Sequence, residues 1–211
     1  MLTKIKKFVE NLLTAQALKI GRIGLSPNII SILGLILATA SGVSFYLWNF
    51  NPQFRWVAPL LILASGFCDA LDGVVARVTG DESAFGAFLD SLLDRYGEAI
   101  IITGIIMGGL SPLIIGILGL TGSLLVSYTR SKAEGYGVKM EGVGLLERPE
   151  RLIILFIGGI INIFVTDALT WTLTLIVILT HLTVAQRAPV SYTHLRAHET
   201  RHDLVCRLLL E

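Results

Sequence analysis

The feature that most limits this chain is a succession of apolar stretches, each about one bilayer long, divided by short polar punctuation. They fall at residues 28–48, 56–78, 84–107, 113–133, 151–166 and 169–187. Hydrophobic residues make up 53% of the 211 and charged residues only 16%, with a mean hydropathy of +0.72. Those values belong to polytopic membrane proteins rather than soluble domains, and they predict an all-α fold of six transmembrane helices. The formal net charge of +1 leaves no basic field to attract nucleic acid.

Residues 1–24 precede the first span. Leu2, Ile5, Val9, Leu12, Leu13 and Ile20 fall on one helical face, with Lys4, Lys6, Lys7 and Lys19 elsewhere. That pattern predicts an amphipathic helix lying on an anionic membrane surface, not a cleavable signal peptide. Ser26-Pro27-Asn28 starts the first span, WNFNPQFRW (Trp48–Trp56) carries interfacial aromatics, and Thr79–Ser83 forms a polar turn. Lys and Arg concentrate on one set of loops (Arg77, Arg130, Lys132, Lys139, Arg148 and Arg151 with the N-terminal lysines), while the other holds little beyond Arg55. The positive-inside rule then places both ends of the domain, 25–189, in the cytoplasm of a cell-membrane protein.

From residue 190 the text changes character. VSYTHLRAHETRHDLVCRLLLE holds His194, His198 and His202, and the apolar pattern stops. It resembles the conceptual translation of a transposase-type sequencing adapter, so residues 190–211 are set aside from the fold and the natural C-terminus is expected to be missing. Cys68 and Cys206 supply no disulfide framework, and Cys68, in an apolar run, reads as a small packing residue.

Against this background, Asp69, Asp72, Asp90 and Asp94 need an explanation. A charge at a helix centre costs about 2.5–3.5 kcal/mol on insertion scales. Asp69 and Asp72 are i,i+3 in the second span, and Asp90 and Asp94 are i,i+4 in the third, so each pair shares a face. A short turn makes the two spans antiparallel neighbours, and both pairs can meet in one cavity. Four carboxylates match the charge of two divalent cations, and oxygen-only ligation favours Mg²⁺, with Mn²⁺ a substitute. Paired metals are a device for transfer at phosphorus. Acids on a proton or cation path through a transporter are the other reading of the same residues. Gly73 and Gly86 allow close approach of a ligand or helix, and Arg77 can pair with a phosphate.

The full spacing, Asp69-x2-Asp72-Gly73-x2-Ala76-Arg77-x8-Gly86-x3-Asp90-x3-Asp94, resembles the signature of the CDP-alcohol phosphotransferase family. The resemblance covers residues 1 to about 187. It implies six spans, two metal ions, a CDP-linked lipid donor (CDP-diacylglycerol or CDP-archaeol), an alcohol acceptor, release of CMP, and a homodimer. It makes Asp69, Asp72, Asp90 and Asp94 the metal ligands, with Asp94 also the base. Gly73 and Arg77 would hold the CDP moiety, and Asn28, Ser31 and Ser83 match donor-contacting positions.

The acceptor is addressed by a second cluster, SYTRSKAEGYG (Ser127–Gly137) and GLLERPERLIIL (Gly144–Leu155). Both segments resemble the inositol-phosphate-using branch, although Ser131 and Lys132 stand where Ala and Arg are common. Arg130, Lys132, Arg148 and Arg151 suit an acceptor that carries a phosphate, whereas choline or ethanolamine would want aromatics or acids. Glycerol 3-phosphate, the acceptor of a phosphatidylglycerol phosphate synthase, is the competing assignment. A membrane prenyltransferase also uses Asp-rich motifs, but with other spacings and a larger bundle.

Overall fold

Proline and capping side chains set where the helices begin. Pro27, Pro52 and Pro149 each stand in a first turn, where the missing N–H is no loss. The Asn51 side chain accepts from the Gln53 amide at 2.9 Å, and the Ser83 hydroxyl accepts from the Gly86 amide at 3.0 Å. The computed structural model describes residues 14, 16–18, 26–138, 140 and 143–208, with side chains as far as residue 189. Among the described residues, six helices follow one another: α1 Pro27–Tyr46, α2 Pro52–Thr79, α3 Ala84–Met107, α4 Leu113–Gly135, α5 Arg148–Ile161 and α6 Ala168–Leu208. The caps explain two departures from the apolar pattern. Helix α2 starts ahead of residue 56, and Arg148, Pro149 and Glu150, expected ahead of the fifth span, open α5 with Glu147 at its N-cap.

Among the described residues every regular element is a helix, and the set is built for a membrane. By length and hydropathy, α1, α2, α4 and the Ala168–Pro189 part of α6 can each cross a bilayer. Helix α3 has the length but carries the acids, and α5, with 14 residues, rises only about 21 Å. Large apolar side chains such as Ile36, Leu60, Ile114 and Ile178 lie more than half exposed, as a lipid-facing surface requires. Most of the expected interfacial helix at 1–24 lies outside the described residues, including its lysines. Residues 14 and 16–18 are helical, and Ala17 is buried with Ile30, Cys68 and Leu71 against α1 and α2.

Small residues set the helix spacing, since lipid offers little hydrophobic drive for helices to associate. A Cβ added to Gly42 of α1 would lie 2.7 Å from the Ile100 carbonyl of α3, and one on Gly122 of α4 would collide with the Thr180 hydroxyl of α6. Buried serines stitch α1 to α2, with Ser41 donating to the Ala58 carbonyl at 2.8 Å and Ser65 to that of Gly34 at 2.9 Å. Helix α1 packs on α2 and α3, α5 on α2 and α6, and α4 chiefly on α6. The core built from Phe45, Ile62, Ile102, Leu155 and Leu173 fills the middle. It leaves one end, where α2 and α4 finish and α3 and α5 begin, for polar groups.

Candidate active site

The turn between α2 and α3 brings the acids together. Gly80 adopts φ +75°, a left-handed conformation that suits glycine, and the Asp81 amide returns to the Ala76 carbonyl at 3.1 Å. Across this hairpin, Asp69, Asp90 and Asp94 each place a carboxylate oxygen within 4.8 Å of the others. Asp72 stands apart from that trio. It faces α1, is 4% exposed, and accepts a 2.5 Å hydrogen bond from the Ser31 hydroxyl.

A basic residue from a distant helix enters the cluster. Arg148 Nη1 lies 2.7 Å from Asp69 Oδ1 and 2.7 Å from Asp94 Oδ2. This guanidinium bridges two of the four carboxylates. An all-oxygen donor set, converging and half-buried, fits a hard divalent cation such as Mg²⁺ or Mn²⁺.

Two polar cavities flank the acids. The first, of about 400 Å³, is lined by Asn28, Ser31, Gly73, Arg77, Ser83 and Asp90 among others, so it gathers every position read as donor-contacting. A Cβ on Gly86 would come within 3.0 Å of the Ser83 hydroxyl and 3.3 Å of Asn28 Oδ1, which would crowd its wall. The second cavity, of about 340 Å³, is lined by Asp94 and by the guanidinium-bearing residues Arg95, Arg130, Arg148, Arg151 and Arg187.

Residues 24–185 match the family model for CDP-alcohol phosphatidyltransferase. The chain belongs to this family. It is 37% identical over 176 residues to an archaetidylinositol phosphate synthase of Pyrococcus horikoshii, covering 81% of this chain and 91% of that one. It is 32% identical over 158 residues to a phosphatidylinositol phosphate synthase of Mycolicibacterium smegmatis, covering 72% and 69%. The fold is similar to a crystal structure of Mycobacterium tuberculosis phosphatidylinositol phosphate synthase with CDP-DAG bound. That match has a TM-score of 0.76 and 27% identity, and covers 87% of this chain and 94% of that one. Another structure of that mycobacterial protein, in complex with manganese and citrate, matches with the same TM-score and identity, over 86% and 89% of the two chains. The protein is therefore a membrane CDP-alcohol phosphotransferase of phospholipid biosynthesis.

Within the family frame, the second cavity differs from the sequence reading in its membership. Lys132 does not line it; its ammonium lies 5.1 Å from the centre of the Tyr136 ring. The helical period explains this, since Ser127, Arg130, Ser131 and Glu134 share the face of α4 that meets the cavity. Arg130 Nε lies 2.9 Å from Glu134 Oε1, and its Nη1 lies 3.8 Å from Glu147. Arg151 is 1% exposed and donates through Nε and Nη2 to both oxygens of Glu98, at 2.6 and 2.7 Å.

Arg187 and Glu98 were not picked out by sequence as members of this site. Arg187 sits at the end of the sixth apolar stretch, where a lone cation reads as a membrane-edge residue. In the fold its Nε donates to the Val143 carbonyl at 2.7 Å, its Nη1 donates to that of Val126 at 2.6 Å, and Nη2 lies 3.5 Å from Glu147. Glu98 carried one usable signal: it lies four residues beyond Asp94, on the same face of α3.

Proposed function

We propose that this protein transfers a phosphatidyl or archaetidyl group from CDP-diacylglycerol or CDP-archaeol to inositol phosphate, releasing CMP. The observation that carries the acceptor assignment is the cavity beside Asp94, where five arginines line the wall against the three acids Asp94, Glu134 and Glu147, so an acceptor bearing its own anionic group adds the missing counter-charge. The relatives, synthases of archaetidylinositol phosphate and phosphatidylinositol phosphate, support the same choice.

The chain's own residues divide the work. In the first cavity, Gly73 leaves room beside Arg77 for the CDP moiety, Arg77 pairs with its phosphates, and Asn28, Ser31 and Ser83 line the rest. Divalent metal ions, two in our reading, would be held by Asp69, Asp72, Asp90 and Asp94 and would supply neutralisation and polarisation of the diphosphate. In the second cavity, Arg130, Arg148 and Arg187 receive the acceptor phosphate, with Arg151 behind them; Lys132 is left to a role outside the cavity. The Asp94 carboxylate takes the acceptor's hydroxyl proton as the oxygen attacks the lipid-bearing phosphorus. The bond from that phosphorus to the CMP oxygen breaks, and CMP leaves.

We also read α3 and α5 as spans, giving six in all. The acids of α3 face inward while Phe88, Tyr96 and Met107 face out, and α5 exposes Ile153, Ile157 and Ile161 along one side. The polar end, with Arg77, Arg130, Lys132 and Arg148, is assigned to the cytoplasmic face of the cell membrane, and Arg55 to the other. A homodimer is the assembly implied by the family, to be read from the mass of the purified protein in detergent.

Purified protein given CDP-diacylglycerol or CDP-archaeol and a panel of alcohols should release CMP fastest with inositol phosphate. Faster release with glycerol 3-phosphate, whose phosphate the same arginines could hold, would move the assignment to phosphatidylglycerol phosphate synthesis. Ion flux into vesicles with no CMP formed would favour a transporter instead.

A further inference from the structure

Asp90, Asp94 and Glu98 occupy successive i,i+4 positions on α3, so Glu98 extends the acidic stripe one turn deeper. It is not among the converging carboxylates, and it lines neither polar cavity. Both its oxygens are taken by Arg151, and the two side chains are 5% and 1% exposed. One turn nearer the mouth, the same two helices are joined again, by Asp94 and Arg148 at 2.7 Å. The links form two rungs between α3 and the start of α5.

The rungs differ in what else their groups can do. Asp94 and Arg148 both line the acceptor cavity, where the proposed chemistry needs them. Glu98 has no such task. The helices it helps connect lean mainly on other neighbours, α3 on α1 and α5 on α2 and α6. Those neighbours set the general placement of the two helices, and the ion pairs are the direct polar links between them. A buried ion pair adds little net stability over apolar residues of similar volume. What a guanidinium fork seated on a carboxylate does fix is distance and angle.

We propose that Glu98 is a positioning residue. Through Arg151 it sets the spacing between α3 and the start of α5, and so the reach from Asp94 to the arginines that receive the acceptor. This rests on the phosphotransfer reading above. Losing the lower rung should misplace the acceptor hydroxyl against Asp94 while leaving the hairpin that holds the other carboxylates intact.

The test compares Glu98→Gln, Glu98→Asp and the paired replacement Glu98→Leu/Arg151→Met. Thermal unfolding, Mg²⁺ affinity by calorimetry, and kcat and KM by CMP release are measured for each. Spin labels at Tyr96→Cys and Ile153→Cys, in a Cys68→Ser/Cys206→Ser background, report the α3–α5 distance directly. The paired variant should recover the thermal stability lost in Glu98→Gln. Its Mg²⁺ affinity and KM for CDP-lipid should stay within about twofold of the parent, because the hairpin is untouched. Its kcat with inositol phosphate should nevertheless fall on the order of a hundredfold, with a broadened label distance. Glu98→Asp, which keeps a carboxylate for the fork, should retain more turnover than Glu98→Gln. Since both keep Arg151, neither loss could come from a missing guanidinium. Turnover that returns together with stability in the paired variant, or a label distance unchanged in all three, would overturn the proposal. A parent protein that releases no CMP with inositol phosphate would sink the phosphotransfer reading, and the label distances would then decide on Glu98 alone.

Discussion

The two cavities are built in different ways. The donor side is largely a product of one hairpin: Gly73 and Arg77 come from α2, Ser83 and Gly86 from the turn and α3, and Pro27, Asn28 and Ser31 are brought in by α1. The acceptor side draws on α3, α4, α5 and α6, with nearly a hundred residues of chain between Ser91 and Arg187. Their charges differ as well. Arg77 lies exposed, whereas Arg130, Arg148, Arg151 and Arg187 each contact a carboxylate of the same chain. The contrast teaches that recognition of the shared donor can be local and open. Choice of acceptor, by comparison, is held in a tertiary network of internally balanced charge.

The strongest challenge to that division lies between the cavities. Removing divalent metal with a chelator should reduce CMP release to background, and Asp69→Asn or Asp90→Asn should lower turnover by about a hundredfold or more, whichever acceptor is supplied. Near-normal rates in chelator would end the metal-dependent reading. The next effect is a crossed pair. Arg148→Gln should raise the KM for inositol phosphate by about tenfold to a hundredfold with a smaller change for CDP-lipid, because it removes a largely buried charge from the acceptor cavity and, with it, a partner of Asp69 and Asp94. Arg77→Gln should do the reverse, raising the KM for CDP-lipid by about tenfold, the worth of one charged hydrogen bond. Steady-state kinetics with each substrate varied in turn would show the crossing, and parallel shifts in both constants would dissolve the distinction between the two sides.

Smaller still is the expected response of Lys132. It lies over the Tyr136 ring, away from the cavity, so Lys132→Ala should change the KM for inositol phosphate by less than about twofold. A change as large as that of Arg148→Gln would return it to the acceptor site. Ending the chain at Pro189 should have no measurable effect on activity, since residues 190–211 read as a translated adapter; loss of folding or turnover in that truncation would contradict the reading.

The two sides were also unequally legible in the sequence. The acids and glycines of the donor side sit at helical spacings within one short segment, so periodicity pairs Asp69 with Asp72 and Asp90 with Asp94, and the short turn lets the two pairs meet. The bond from Ser31 to Asp72 crosses from another helix, and nothing local announces that Asp72 turns from the trio. On the acceptor side the ERPER run marked Arg148 and Arg151, but not their partners. Arg148 reaches Asp69 and Asp94, and Arg151 reaches Glu98, over separations at which spacing carries no information. The helices themselves were legible from hydropathy, and their boundaries shifted where proline and Asn51 began a turn early.

The bridge from Arg148 to Asp69 and Asp94 has a consequence in time. Arg148 follows Asp94 by 54 residues, which a ribosome adds in roughly 3–11 s at about 5–20 residues per second. The α2–α3 segment therefore spends that interval without the guanidinium that later bridges its acids. Soluble cations are the counter-charge at hand while it waits. A chain arrested before Arg148 should accordingly need divalent ions to resist proteolysis of the hairpin, and one arrested after α5 has emerged should need them less.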